Sequence, residues 1–418
     1  MNLKKNLATL MLISLLLLVT GCGKESDSVS LISSNDVEFG KEDYKNIASR
    51  NNELGFKLFA ETSEGGNSNV FISPIGLYMV LSMLYNGAEG KTKQEIAKVL
   101  HVEGMNVNEL NKSNAWLQSK LQKESTLIEF NITNSIWVHN HFHFKSEFVK
   151  SNRKYFNATL EEINMNDQNS LKRINDWGKK STNGKMDQIV NEPLSDDVVT
   201  MLINAIYFKG DWTYPFDKEH TEKQSFYLKD GTTKDVPLMV LNRKLAYFEH
   251  EIFQAVSLPY GDETMSMKVL LPKENYSLEE LEDLFTMESW KQWSSAFHKK
   301  SGTILLPTFQ LEYEANVNDF LISLGMPSAF SSTANFSKMI KEENSLAISE
   351  VKQKTFLEVN EEGTEAAAIT SVTIAETSAP VDSFFMKVNR PFIIVITDDE
   401  TDTILFMGLI ANPMERKQ

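Results

Sequence analysis

His139, His141 and His143 alternate in Trp137-Val-His-Asn-His-Phe-His-Phe144. On an extended strand the three imidazoles would share one face, an arrangement that suits a divalent metal. Solvated histidines on an edge strand or loop are the commoner use of such a run, and no metal is expected here. The signatures G-x-S-x-G, H-E-x-x-H and G-x-x-x-x-G-K-[ST] are absent, so no nucleophile elbow, zinc-protease helix or phosphate loop is expected. The chain is not read as an enzyme and calls for no cofactor.

The more telling residues run from Glu361 to Pro380: Glu-Glu-Gly-Thr-Glu-Ala-Ala-Ala-Ile-Thr-Ser-Val-Thr-Ile-Ala-Glu-Thr-Ser-Ala-Pro. The segment opens acidic, passes Gly363, and stays uncharged from Ala366 to Ala375 with no lysine or arginine. In a strand, Thr364, Ala366, Ala368, Thr370, Val372 and Ile374 lie on one face. That face can be buried whole, whereas a charge on it would lose hydration worth several kcal/mol. The other face starts at Glu365 and continues through Ala367, Ile369, Ser371 and Thr373. The same residues also fit a helix capped by Thr364; the β-branched run from Ile369 to Ile374 favours strand. Small and β-branched residues in this pattern suit a strand that slides into an existing sheet.

The elements that must position this segment follow from the rest of the chain. Its 418 residues are 41% hydrophobic, enough for one large mixed domain. A net charge of −15 excludes a broad basic face for nucleic acid and broad attraction to anionic lipid. Lys4 and Lys5 precede an apolar run, Leu7 to Val19, too short to span a bilayer. Residues 1–21 read as a signal peptide. The run Leu18-Val-Thr-Gly-Cys22 resembles the bacterial lipoprotein box, and Cys22 is the only cysteine. Lipidation of Cys22 and anchoring to the cell envelope are therefore expected, with residues 22–45 a polar tether and 46–418 a single domain. An ordinary secretory signal is the plainer alternative.

Hydrophobic periodicity predicts helices over 46–60, 75–85, 108–122, 169–180 and 317–324, one capped by Thr92, and two short ones over 277–285 and 287–297. Strands are expected over 128–138, 198–208, 224–271 in hairpins, 303–313, 346–360 and 384–397. Helices gather early and strands late, an α+β domain.

In that order the motifs resemble a serpin over about residues 46 to 415. They are Asn69-Val-Phe-Ile-Ser-Pro74, Asn86-Gly-Ala-Glu-Gly-Lys-Thr92, Ile174-Asn-Asp-Trp177 with Thr182-Asn-Gly-Lys185, and Asn204-Ala-Ile-Tyr-Phe-Lys-Gly-Asp-Trp212. Leu258-Pro-Tyr260, Leu270-Leu-Pro272, Leu324-Gly-Met326, Asn389-Arg-Pro-Phe392 and Leu405-Phe-Met-Gly408 follow. Phe356-Leu-Glu-Val-Asn-Glu-Glu-Gly-Thr-Glu-Ala-Ala-Ala368 resembles the family's hinge, here Glu361, Glu362, Gly363, Thr364, Glu365, Ala366, Ala367 and Ala368.

The resemblance implies about nine helices, three β-sheets and an exposed reactive loop that baits a protease, acylates it and inserts into the main sheet. Family spacing counted from Glu361 puts the reactive bond at Thr377–Ser378, with a cut after Glu376 the nearest alternative. A threonine there suits elastase-like or subtilisin-like proteases and not trypsin-like ones, which need Lys or Arg. The resemblance also implies a sheet-opening cluster of Ser73, Asn204 and Gln353, with Trp212 at the top of the sheet. The family's usual histidine is Gln353 here, and its usual second serine is Gly76. A monomer is expected, with the membrane engaged only through the lipid. A non-inhibitory serpin acting as a binding or chaperone module is the alternative; its hinges tend to be bulky, charged or proline-containing, unlike this one.

Overall fold

The computed structural model describes residues 43–64, 68–122, 127–190, 194, 198–343, 346–364 and 382–413. Cys22, the signal segment and most of the expected tether lie outside them, as do Glu365, Ala366, Ala367, Ala368, Thr377 and Ser378.

Among the described residues there are nine α-helices. α1 (Asp43–Ser63) starts inside the stretch expected to be tether. α2 (Pro74–Gly87) is apolar all round because it is covered on every side, with Pro74 at the tolerated first turn. Thr92 lies within α3 (Gly90–Val99) rather than capping it; Glu89 holds the cap position, and the Thr92 hydroxyl instead accepts from the Asn335 backbone N–H at 3.0 Å. α4 (Val107–Leu121) opens with an Asn106/Glu109 capping box. α5 (Ser146–Phe156) was not anticipated, because only Phe148, Asn152 and Phe156 are buried, a stripe of three residues spaced four apart. α6 (Gln168–Ser181), α7 (Leu278–Leu284), α8 (Met287–Ala296) and α9 (Asn318–Ser323) fall close to the predicted spans.

A six-stranded sheet runs in the order β10 (Phe309–Asn316), β11 (Glu350–Val359), β12 (Gly363–Thr364), β4 (Thr200–Asp211), β2 (Ile128–His139) and β3 (Thr159–Ile163). A nine-stranded sheet runs β1 (Val70–Ile72), β15 (Thr403–Ile410), β14 (Phe392–Asp398), β8 (Met265–Pro272), β7 (Phe253–Tyr260), β6 (Thr233–Glu249), β9 (His298–Pro307) and β13 (Phe384–Lys387), with β5 (Glu222–Tyr227) beside β6. Three sheets were expected, and two are found among the described residues. The cause is β6: its 17 residues pair with β5 over the first part, with β9 from Leu238 to Tyr247 and with β7 at the end, fusing two smaller sheets into one hydrogen-bonded path.

The main core lies around α2, between the sheets, where Ile75, Leu77, Tyr78 and Met79 are buried with Phe71, Phe406 and Phe208. A second, smaller core forms on the other side of the six-stranded sheet. There Ile174 of α6 meets Met186, Ile189, Trp137, Met201, Ile203 and Phe356. β4 is thus buried on both faces, as its unbroken apolar run requires.

Candidate functional site

β11 and β4 lie parallel at the centre of the six-stranded sheet, in register from Glu350↔Met201 to Thr355↔Ile206. Above that pair they part, and β12 sits between them. Thr364 stands opposite Val359 on one side and Gly210 on the other, antiparallel to both, and Gly363 stands opposite Asp211. Two residues of the expected hinge therefore occupy the lane between the central strands.

The turn that delivers them is built locally. The Asn360 side-chain oxygen accepts from the backbone N–H groups of Glu362 (3.0 Å) and Gly363 (3.2 Å), and the Asn360 N–H donates to the Gly363 carbonyl at 2.9 Å. The acidic pair is held outside the lane. Thr221 donates to the Glu361 carboxylate at 2.7 Å, and Lys218 pairs with Glu362 at 2.5 Å. Gly363 is required by close approach, since a Cβ there would lie 2.2 Å from the Gly210 carbonyl oxygen. Thr364 is fully buried, its hydroxyl 2.7 Å from that of Tyr260. Trp212 stacks on Tyr260 with centroids 4.4 Å apart and planes 10° from parallel. Its indole N–H donates to the Asn360 carbonyl and its backbone N–H to the Glu362 carbonyl, each at 2.9 Å.

Burial pushes the Asp211 carboxyl above the usual carboxylate range, and the Glu362 carboxylate adds to the effect against a lowering by Lys209. Its Oδ1 is buried without a hydrogen-bond partner. Burial likewise raises the Tyr260 phenol.

A second group lies lower, where the lane is closed. Gln353 on β11 accepts from the Ser73 N–H at 2.8 Å and donates to the Ser73 carbonyl at 2.7 Å and to the Asn204 side-chain oxygen at 3.2 Å. Ser73 donates through its hydroxyl to the Leu405 carbonyl at 2.6 Å. Thr355 bonds the Phe71 carbonyl at 2.5 Å. Ser73, Asn204 and Gln353 are thus brought together, all buried. One member escaped the sequence: Asn134 of β2, opposite Asn204, accepts from its amide at 2.7 Å. No local signal marks Asn134, because its partner is 70 residues away. Gly76 also finds its reason here, since a Cβ would sit 1.9 Å from the Asn204 oxygen. A serine at that position would force Asn204 to move.

Trp212 does not join this group. It lies past the end of β4, eight residues from Asn204, or about 26 Å along an extended strand. The histidines do not converge either. The chain turns after His139, whose ring lies 4.2 Å from that of His141, and His143 pairs instead with Glu342 at 2.8 Å. Among the described residues no set of three or more metal-binding side chains is assembled.

The sequence model of the family described as Serpin (serine protease inhibitor) matches residues 49–413. Human Serpin I2 is 30% identical over 393 residues, covering 93% of this chain and 96% of that protein. The native-state crystal structure of tengpin, a thermophilic serpin, superposes with a TM-score of 0.81 at 31% identity, over 90% of this chain and 95% of that one. Human thyroxine-binding globulin, solved in complex with thyroxine, superposes with a TM-score of 0.81 at 25% identity, over 89% of this chain and all of that one.

Proposed function

The chain belongs to the serpin family, and on that premise we propose that it is a suicide-type inhibitor of a serine protease. The protease attacks the Thr377–Ser378 bond through its serine, and the carbonyl of Thr377 becomes an acyl ester as the amine of Ser378 leaves. The freed strand then enters between β11 and β4 before water completes the hydrolysis. Serpin loop insertion is itself a standing example of strand addition and of released strain.

The observation that carries this reading is the seated Gly363–Thr364 pair, antiparallel to both neighbours. Extending its register downward gives a consistent path. Six residues past Thr364, Thr370 falls opposite Asn204 by the β4 ladder and opposite Gln353 by the β11 ladder. Both counts meet at one residue, so a single straight strand fits the lane. Thr370 shares the inward face of Thr364, which puts its hydroxyl against the central amides. Continued to Thr377, the register passes the first residues of β4 and β11, about 40 Å from Thr364. An acylated protease is thereby carried to the far end of the sheet. Insertion exchanges one parallel ladder for two antiparallel ones, which are slightly stronger per residue and add hydrogen bonds. Distortion that removes a single oxyanion-hole donor slows deacylation by roughly 10²–10³.

The target has a small or shallow primary pocket, elastase-like or subtilisin-like. Several acyl chains on Cys22 hold the inhibitor at the cell envelope; incorporation of labelled palmitate that persists in Cys22→Ser would refute this.

Incubation with elastase-like and subtilisin-like proteases followed by denaturing electrophoresis tests the main reading. A denaturant-resistant high-mass band, with a released peptide starting at Ser378 by mass spectrometry, is the expected result. Cleavage with no such band would favour a ligand-binding module, since the fold also binds thyroxine in thyroxine-binding globulin.

A further inference from the structure

β13 is an edge strand anchored from one side. Phe384 stacks on Tyr247 at 4.5 Å and lies over Gly302, where a Cβ would meet its ring at 2.3 Å. The next residue, Phe385, faces the opposite way by the period of a strand and is 62% exposed, the largest exposure among the described large hydrophobic residues. The pairing Phe385↔Thr303↔Asn242 defines the outer face of β13, β9 and β6. Two-residue steps along it add Lys387, Lys299 and Lys244 to the same face. None of these three lysines has an ion-pair partner among the described residues. Arg243 and Lys300 belong to the other face, where Arg243 lies over Tyr214 and Lys300 pairs with Asp382. On a chain of net charge −15, the outer face is thus a platform of uncompensated positive charge around an exposed aromatic ring.

Lysines on a short edge strand discourage unwanted strand pairing. An exposed phenylalanine works against that purpose, so edge protection alone does not account for the face.

We propose that this face is a secondary docking surface for the target protease, recognising an acidic, partly apolar rim beside the protease's own cleft on the side that holds the residues after the cut. The proposal rests on the inhibitor reading above. Phe385 lies seven positions after Ser378, so the two lie within about 25 Å whatever path the chain takes. A protease of roughly 250 residues has a radius of gyration of about 18 Å. A protease engaged at the reactive bond therefore has this face within its footprint. Charge complementarity of this kind acts mainly on the association rate and is screened by salt.

The test uses the full inhibitor and the triple variant Lys244→Glu, Lys299→Glu, Lys387→Glu, with Phe385→Ser made separately. The probe is one subtilisin-like protease in two engineered forms, its cleft rim acidic or basic. The parent inhibitor should trap the acidic form at least tenfold faster at low salt, the triple variant should reverse that preference, and the difference should shrink in 0.5 M salt. Phe385→Ser should slow both forms by a few-fold. Melting temperature and complex yield per molecule cleaved should stay at the parent's values in every variant, so loss of the covalent complex itself would count against the inhibitor reading instead. Equal rates for the two rims would overturn the proposal. So would unchanged rates accompanied by loss of binding to phosphatidylglycerol vesicles, which would assign the face to a lipid surface.

Discussion

At the top of the β11–β4 lane, Trp212, Tyr260 and Thr364 meet through stacked rings, one buried hydroxyl pair and backbone bonds to a tight turn. At its centre, Ser73, Gln353, Asn204 and Asn134 meet through side-chain amides and the Ser73 backbone, with no titratable side chain among them. The top is open and holds a guest strand of two residues; the centre is closed and holds β11 directly against β4. Local chemistry tracks that difference. A stacked aromatic floor tolerates a strand arriving above it. A chain of buried amide donors and acceptors, left unsatisfied at the Asn134 side-chain nitrogen, resists separation until something replaces the bonds.

Thr364→Arg should break the top most severely. A buried, unpaired charge costs several kcal/mol, enough to slow insertion about a hundredfold or more. The variant should be cleaved as a substrate with no lasting covalent complex, and a complex that survives denaturation would contradict the mechanism. Gly76→Ser attacks the centre instead. Displacing Asn204 should lower the stability of the intact protein by about 1–3 kcal/mol, read as a fall in melting temperature, while the seated hinge keeps its hydrogen-exchange protection. An unaltered melting temperature would show that the amides repack freely.

Gln353→His sharpens the contrast through pH. Glutamine does not titrate, whereas a histidine there would gain a proton as pH falls toward 6 and lose its capacity to accept from the Ser73 N–H. The variant should open more readily in mild acid, by a few-fold in inhibition rate relative to the parent at the same pH. Superimposable profiles would remove the centre as the source of acid sensitivity. Asp211 gives the smallest effect. Its raised carboxyl is penalised while ionised at neutral pH, and the penalty fades as pH falls through the raised value. Protection of the Gly363 and Thr364 amides, corrected for intrinsic exchange, should therefore rise modestly in mild acid. Asp211→Asn should abolish that rise.

Legibility in the sequence follows the range of the interactions. α2 was visible because a helix buried all round must be apolar all round. β4 was visible for the same reason. α5 was not, since three buried side chains among charged ones leave a weak stripe. The expected strand over 384–397 was split because Asn389-Arg-Pro interrupts it, sending β13 to pair with β9 and β14 to lie between β15 and β8. Thr92 looked like a cap because its hydroxyl suits one, yet that hydroxyl serves Asn335, a residue 243 positions away.

The serpin assignment and the hinge were set by local patterns: small, uncharged residues on alternate positions after Gly363, and motifs of a few residues each. Their physical content is short-range, the strand's two-residue period and the cost of burying charge, so it is written in consecutive letters. Tertiary structure alone decided that β11 and β4 are parallel neighbours, that Gln353 reaches Asn204 across 149 residues of chain, and that Thr364 pairs antiparallel with both strands. It also gathered Lys244, Lys299, Phe385 and Lys387 onto one face. Such contacts depend on how distant strands pair and register, and no single stretch of the chain carries that information.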